Sequence, residues 1–274
     1  MSYMDERFNA NRAIEDIVDW IKHYFAESGS NSKAVIGISG GKDSSIAAAL
    51  LVRALGADRV LGVLMPCGYQ HDIRYSNELC EHLGIQSVEI NIGSTMDAIT
   101  EAIPEDMFSA ARNEIYYTNT PARIRMTTLY GVAGLMGGRV ANTCNFSEDY
   151  LGYSTKWGDN AGDFAILANY TVTEVLEIGE ALGLPNHFIY KTPEDGMSGK
   201  CDEEKLGLTY SDLDKYIMDG VVPNVDTMAR IVSLYRASRH KEKHLPTAPN
   251  PFYRFRKNNR LSSAANLEEG EFWF

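Results

Sequence analysis

The sequence predicts an α/β fold, a doubly wound parallel sheet with a helical C-terminal extension. Short apolar runs alternate with helical patterns between residues 33 and 195, the order that places crossover helices between parallel strands. The runs are nearly all apolar instead of alternating with polar residues, as strands covered on both faces are. Glycine follows most of the helical patterns, where a left-handed residue commonly ends a helix.

Ile14, Ile17, Val18, Ile21 and Phe25 recur at three- and four-residue steps and predict an amphipathic helix closed by Gly29. Residues 33–39 (KAVIGIS) form the first strand, and 44–55 a helix ended by Gly56. A second strand, 59–65 (RVLGVLM), stops at Pro66; a helix over 72–83 ends at Gly84; a third strand covers 86–92 (QSVEINI). Residues 122–136 form a helix rich in small side chains, followed by a fourth strand at 139–145 (RVANTCN). The helix over 171–182 opens with a Thr171–Glu174 capping box and closes at Gly183 and Pro185. Beyond residue 195 the strands stop. Residues 194–206 read as a mobile loop, and helices follow at 209–218 and 225–237 before a polar, proline-punctuated tail. The expectation is one domain, with an α/β core over 33–195 and a lid loop and helical extension over 196–274.

The 274 residues carry 26 basic and 37 acidic side chains, a formal net charge of −11. That balance argues against a nucleic-acid surface, which needs clustered Lys and Arg. Apolar residues at 44 % and charged residues at 23 % are ordinary for a globular chain. The longest stretch without Asp, Glu, Lys or Arg is thirteen residues, 126–138, short of the roughly 18–20 that span a bilayer. The polar N-terminus lacks the apolar core of a signal peptide. Cys67, Cys80, Cys144 and Cys201 make no C-x-x-C pair, so a zinc site and a disulfide scaffold lose support. No membrane and a reducing cytoplasm are the expected setting.

The chemistry is concentrated in VIGISGGKDSS, residues 35–45. An apolar strand runs into adjacent glycines, Gly40 and Gly41, and then into a helix. Such a turn aims several N–H groups at one anion, and the helix adds its positive end. The string is not a Walker loop, because Ile36 and Asp43 occupy the required glycine and Ser/Thr positions. It is not a dinucleotide fingerprint either, since Gly37 and Gly40 are wrongly spaced. Asp43 would be repelled by a phosphate unless a cation lay between them, which implies Mg2+. A glycine turn with a helix-capping Asp or Ser is the alternative reading of the same string.

S-G-G-x-D-S after a first strand resembles the pyrophosphate loop (PP-loop) of the ATP pyrophosphatases, which have a Rossmann-like fold and form an adenylate plus pyrophosphate. Within that group, NTPARIRM (119–126) and TCNFSEDYLGYSTKWGDNAGD (143–163) resemble the NAD synthetase family. The resemblance runs from the loop to the His240–Lys241 pair. It implies ATP- and Mg2+-dependent amidation of nicotinic acid adenine dinucleotide (deamido-NAD) to NAD. The nicotinate carboxylate would attack the α-phosphorus, and ammonia would then displace AMP. By resemblance, Gly37, Ile38, Ser39, Gly40, Gly41, Lys42, Asp43 and Ser44 bind the ATP phosphates and Thr143 touches ATP. Asp43 and Glu148 hold Mg2+, and Arg123, Lys156, Asp163, His240 and Lys241 contact the dinucleotide. A homodimer is also implied, with the first helix and the helix over 122–136 as contact faces. The loop begins at residue 37, which leaves no room before it for a glutamine-using domain. Free ammonia, or ammonia from a separate protein, is therefore the expected nitrogen donor.

The residues alone leave some choices open. Arg123 and Arg125 lie two apart on one helix and face different ways. Either Glu148 or Asp149 could face a metal, Lys156 beside Trp157 also reads as a snorkelling surface lysine, and His240 lies in a basic run typical of a solvated helix end. Asp163 would accept from a ribose hydroxyl or from ammonia. Two positions depart from the family pattern: Val172 stands where many relatives have a lysine, and Glu194 where many have Thr or Ser. The capped helix start at Thr171 could offer its N–H groups to a phosphate instead. The rival readings are another adenylating ligase, a tRNA-modifying member of the group, and a protein that senses ATP without turnover.

Overall fold

The computed structural model of the chain describes residues 8–190 and 202–242. Its sheet is parallel and comprises β1 (Ala34–Gly37), β2 (Val60–Leu64), β3 (Gln86–Glu89), β4 (Arg139–Asn142) and β5 (Phe164–Ala165). The spatial order is β3-β2-β1-β4-β5. Central β1 sets Gly37 opposite Val63 of β2 and Ile36 opposite Ala141 of β4. Between β1 and β4 the strand order reverses. Chain segments leaving these two strands diverge there, which opens the crevice where α/β sheets take ligands.

The helices, in chain order, are α1 (Ala10–Ser28), α2 (Lys42–Leu55), α3 (Ile73–Leu83), α4 (Gly93–Ala102), α5 (Ala110–Met136), α6 (Phe146–Leu151), α7 (Val172–Ala181), α8 (Asn186–Ile189), α9 (Asp202–Leu206), α10 (Tyr210–Asp219) and α11 (Val225–Glu242). On one face of the sheet Ile17, Ile21 and Phe25 of α1 join Ile46 and Leu50 of α2 and Val175 and Ile178 of α7. On the other, Val35, Val63 and Val140 of the strands join Met96 of α4 and Ile124 and Leu129 of α5. Each such side chain contributes about 1.5–3 kcal/mol on burial, so β1 is held from both faces. A third cluster, Leu151, Val172, Leu206, Leu213 and Ile231, ties α9, α10 and α11 to α6 and α7.

The doubly wound sheet agrees with the sequence reading, α3, α7 and α10 lie within two residues of their expected ends, and α1 closes before Gly29 as expected. Several other elements differ. β3 is exposed at all four positions, so it is a solvated edge strand and not one covered on both faces. α5 starts at Ala110, twelve residues before the expected start, and runs through Pro121, which is buried; proline's missing N–H and its clash with the preceding turn disfavour such a position. α4, α6, α8 and β5 are short additions the periodicity did not reveal. Of the loop expected over 194–206, residues 194–201 lie outside the described residues and Asp202–Leu206 is helical. No described helix is long and apolar enough to cross a membrane.

Candidate active site

The segment from β1 to α2 is a tight turn built on hydroxyls. Gly40 has φ +78°, and a Cβ there would lie 3.1 Å from Ser76 Oγ and 3.3 Å from Tyr75 Cβ, so both conformation and space require glycine. Gly41 N–H donates to Ser39 Oγ (3.2 Å), and Ser44 and Ser45 hydroxyls donate to the Gly41 carbonyl (3.0 and 2.8 Å). α2 starts at Lys42, earlier than the sequence suggested, and no side chain caps it. The N–H groups of Lys42, Asp43 and Ser44 therefore have no acceptor within the helix. That is the arrangement of an anion site.

Asp43 sits in this first turn and is bound from both sides. Lys42 Nζ donates to its Oδ2 (2.8 Å) and Asn145 Nδ2 to its Oδ1 (3.0 Å). Asn145, fully buried, is the N-cap of α6, and Glu148 completes a capping box with it. The crevice between β1 and β4 is thus bridged by one asparagine, which also fixes Glu148 beside Asp43. Burial and the Asp43 charge push the Glu148 carboxyl up to about 8, against the pull of Lys42. Burial alone would lower Lys42, but Asp43, Glu148 and Asp202 outweigh it and hold the ammonium well above its ordinary range. Two carboxylates thus lie at one partly buried point, with the Lys42 ammonium bound to Asp43. The donor set is hard oxygen and suits a small divalent ion that takes its remaining ligands from water and phosphate. Among the described residues no group of three or more His, Cys, Asp or Glu forms a metal cage. Of the adjacent acids, Glu148 faces Asp43, whereas Asp149 lines a cavity of about 320 Å³ with Asn142, Asn160 and Asp163. Thr143 follows β4 directly and is half-buried.

The cationic residues gather at a separate turn. Arg123 Nε donates to the Lys156 carbonyl (3.2 Å), Lys156 Nζ to the His240 carbonyl (2.7 Å), and Lys241 Nζ to the carbonyls of Gly152 (2.8 Å) and Ser154 (2.7 Å). Four of the five expected substrate residues are thereby brought together. Trp157, in the same turn, adopts φ +64°, a backbone state that costs a bulky residue energy and that clusters at ligand sites. Asp163 stands apart. Its Oδ2 accepts from Val140 N (2.7 Å) and its Oδ1 from Tyr130 OH (3.3 Å), so it holds the sheet beside β4 while bordering the cavity. Arg125 points the other way from Arg123 and donates through Nε to the Met65 carbonyl (3.0 Å); burial lowers its pKa.

The start of α7 does not offer N–H groups to a phosphate, contrary to the sequence reading. Val172 N–H donates to Ser147 Oγ (3.0 Å), Thr173 N–H to Asp214 Oδ2 (2.8 Å) and Glu174 N–H to Thr171 Oγ1 (3.3 Å). Asp214, 2 % exposed, also accepts from Ser147 Oγ (2.5 Å) and Thr173 Oγ1 (2.7 Å). The Val172 side chain lies in the third apolar cluster.

Asn145, Asp214 and Tyr210 were not singled out from the sequence. Asn145 was detectable, because N-x-x-E before an apolar helix is a capping-box pattern; the other two announce themselves only in three dimensions.

The sequence model of the NAD synthase family matches residues 13–245. The NH(3)-dependent NAD(+) synthetase of Thermococcus kodakarensis is 37 % identical over 251 residues, covering 86 % of this chain and 96 % of that protein. The enzyme of the same description from Carboxydothermus hydrogenoformans is 33 % identical over 247 residues, covering 89 % and 99 %. Among solved structures, an NMN synthetase from Francisella tularensis superposes with a TM-score of 0.80 at 31 % identity, covering 89 % of this chain and all of that one. An NH3-dependent NAD synthetase from Campylobacter jejuni, in complex with a nitrate ion, gives 0.71 at 25 % identity with the same coverage.

Proposed function

The chain belongs to the NAD synthase family, and from that premise we propose that it is a ligase that amidates deamido-NAD to NAD with ammonia and ATP. The observation that carries the reading is the Asp43–Asn145–Glu148 joint (3.0 Å from Asn145 Nδ2 to Asp43) beside the uncapped start of α2. It sets an anion cradle and a carboxylate pair at one strand-order reversal.

In the first step a carboxylate oxygen of the nicotinate forms a bond to the α-phosphorus of ATP, and the bond to the β-phosphate oxygen breaks. The products are an acyl-adenylate and pyrophosphate. Gly37–Ser44, with Thr143, hold the nucleotide, and the α2 amides with Lys42 take up the charge that develops on the leaving pyrophosphate. Mg2+, held by Asp43 and Glu148, would neutralise phosphate charge when bound. In the second step ammonia attacks the acyl carbon and AMP leaves with the electron pair of the broken bond. Arg123, Lys156, His240 and Lys241 would orient the anionic substrate, with Asp163 at the edge of its site. Arg123, Lys156 and Lys241 are held by backbone carbonyls, so no protein carboxylate has to be displaced first. Positioning of this kind needs no protein nucleophile.

A homodimer and a cytoplasmic setting complete the proposal. Exposed Tyr117, Tyr130 and Leu135 on α5 support the first, and the free thiols of Cys67, Cys80 and Cys144 the second. The likeness to the Francisella NMN synthetase favours one second reading, in which the substrate is the nicotinate mononucleotide. Both readings share the adenylated carboxylate and differ only in the half of the substrate remote from it. One assay separates them: ATP, Mg2+ and ammonium with either acid in turn, and glutamine replacing ammonium as a control. AMP and NAD formed together from the dinucleotide at the higher kcat/KM support the first reading. A preference for the mononucleotide replaces it with the second. Neither amide formed refutes both and restores the non-catalytic reading.

A further inference from the structure

Tyr210 opens α10, and its N–H donates to Glu203 Oε1 (2.8 Å), which fastens α10 to α9. The residue is 8 % exposed. Its hydroxyl nevertheless has no hydrogen-bond partner, a state shared among the described buried side chains only with Ser76. Buried hydroxyls are paired as a rule, and an exception needs an explanation.

The surroundings supply one. Lys42 Nζ lies 5.8 Å from the centre of the Tyr210 ring, so the ring, at the margin of the third apolar cluster, meets the tip of the first side chain of α2. Burial, and after it the charges of Glu148, Asp202 and Asp43, hold the phenol far above its ordinary range, so it stays a neutral donor. Each of those acids already has a donor. Asp43 accepts from Lys42 and Asn145, Glu148 from the Asn145 N–H, and Asp202 from Tyr153 OH. None of them reaches the Tyr210 hydroxyl, so its acceptor is a water or a group that enters the site. The other unspent donors at this point are the α2 amides, so the incoming group is an anion rich in oxygen.

We propose that Tyr210 binds the nucleotide directly, its hydroxyl donating to an oxygen of the terminal phosphates that become pyrophosphate. This rests on the nucleotide reading of the β1–α2 turn. The turn reaches solvent through Asp43 and Glu148, both of them partly exposed, whereas the Tyr210 hydroxyl is sealed behind Lys42, so a phosphate seated in the turn meets Lys42 first and reaches Tyr210 as that side chain shifts. A neutral donor held against a leaving pyrophosphate gains strength as charge accumulates on it. Tyr210 would thus contribute to rate as well as to affinity.

The test is Tyr210→Phe in the full chain, which removes one oxygen that bonds to nothing in the ligand-free protein. Its melting temperature is expected to equal or exceed that of the wild type, because an unpaired buried group is lost. Binding by calorimetry should weaken about tenfold or more for ATP with Mg2+ and for pyrophosphate with Mg2+, the loss expected for a hydrogen bond to a charged acceptor. AMP, which lacks those phosphates, should bind within about twofold of wild type. Equal affinity for ATP and pyrophosphate in both proteins overturns the proposal. So does an equal loss for AMP, or a lowered melting temperature with unchanged binding. A wild-type protein that binds neither ATP nor pyrophosphate refutes the nucleotide reading itself, which a loss confined to the Phe variant does not.

Discussion

Two helix starts, α2 and α7, have opposite fates. α2 begins at Lys42 after Gly41, which offers no side-chain cap, and its first-turn amides are unspent. α7 begins with a capping box and receives Ser147 and Asp214 besides, so its amides are consumed. Both ends carry the same helix dipole. The contrast shows that a helix N-terminus becomes an anion site only where the chain withholds its own acceptors. Where those acceptors come from is decided far along the sequence. Asp214 lies 41 residues from Thr173, and Ser147 lies 25 from Val172.

Disabling the unspent end should have the largest effect. Asp43→Ala removes the carboxylate shared by Lys42 and Asn145. A fall of about a thousandfold or more in kcat/KM for amide formation is expected, the scale of losing a principal electrostatic group. Circular dichroism should remain native, because the apolar clusters on both faces of β1 do not include Asp43. Activity within tenfold of wild type would sink the assignment of α2 as the phosphate end.

The spent end should fail in the other currency. Asp214→Ala strips acceptors from Ser147, from the Thr173 hydroxyl and from the Thr173 amide, leaving buried donors unpaired. A loss of about 3 kcal/mol in urea unfolding is expected. ATP affinity of the folded fraction should change less than about threefold. A large selective loss of ATP binding would mean that the α7 start faces the nucleotide after all.

These residues also mark how far the sequence can be read. A strand, paired glycines and a helix pattern are local facts, so the β1–α2 turn was legible, as was the Thr171–Glu174 box. Val172 looked like a vacated cation position because nothing within a helical turn of it reveals Ser147 or Asp214. Asn145 reaches Asp43 across 102 residues, so its bridging role belongs to the topology. The exposed edge strand β3 and the first half of α5 were misread for a different reason: local pattern and proline chemistry pointed one way, and the fold went the other.

A finer test makes one end resemble the other. Gly41 has φ −87°, and a Cβ there would meet only Ser39 Oγ, at 3.3 Å. Gly41→Asp is therefore sterically tolerable and would cap α2 as Thr171 caps α7. Stability should rise by about 0.5 kcal/mol from the cap and the dipole. ATP affinity should fall about tenfold, since the new carboxylate occupies the amides and repels phosphate. A stabilised variant with unaltered ATP affinity would show that those amides are not the cradle.

The smallest expected effect is set by pH. In the ligand-free protein burial and the Asp43 charge push the Glu148 carboxyl up to about 8, against about 4.3 for an unperturbed glutamate. Between those values the folded state holds a proton that the unfolded state has lost. Stability of the ligand-free protein therefore falls as pH rises through that window and levels off above it. A cation shared by Asp43 and Glu148 requires the proton to leave, so binding of ATP with Mg2+ should strengthen as pH rises from 6 to 8, by less than about tenfold per unit. Glu148→Gln should flatten both trends, with ATP binding weak at every pH. The start of α7 carries no comparable pair, so Asp214→Ala should leave the pH dependence of ATP binding intact. If Glu148→Gln keeps the wild-type slope, the titrating group lies elsewhere and Glu148 is not the partner of Asp43 in holding the cation.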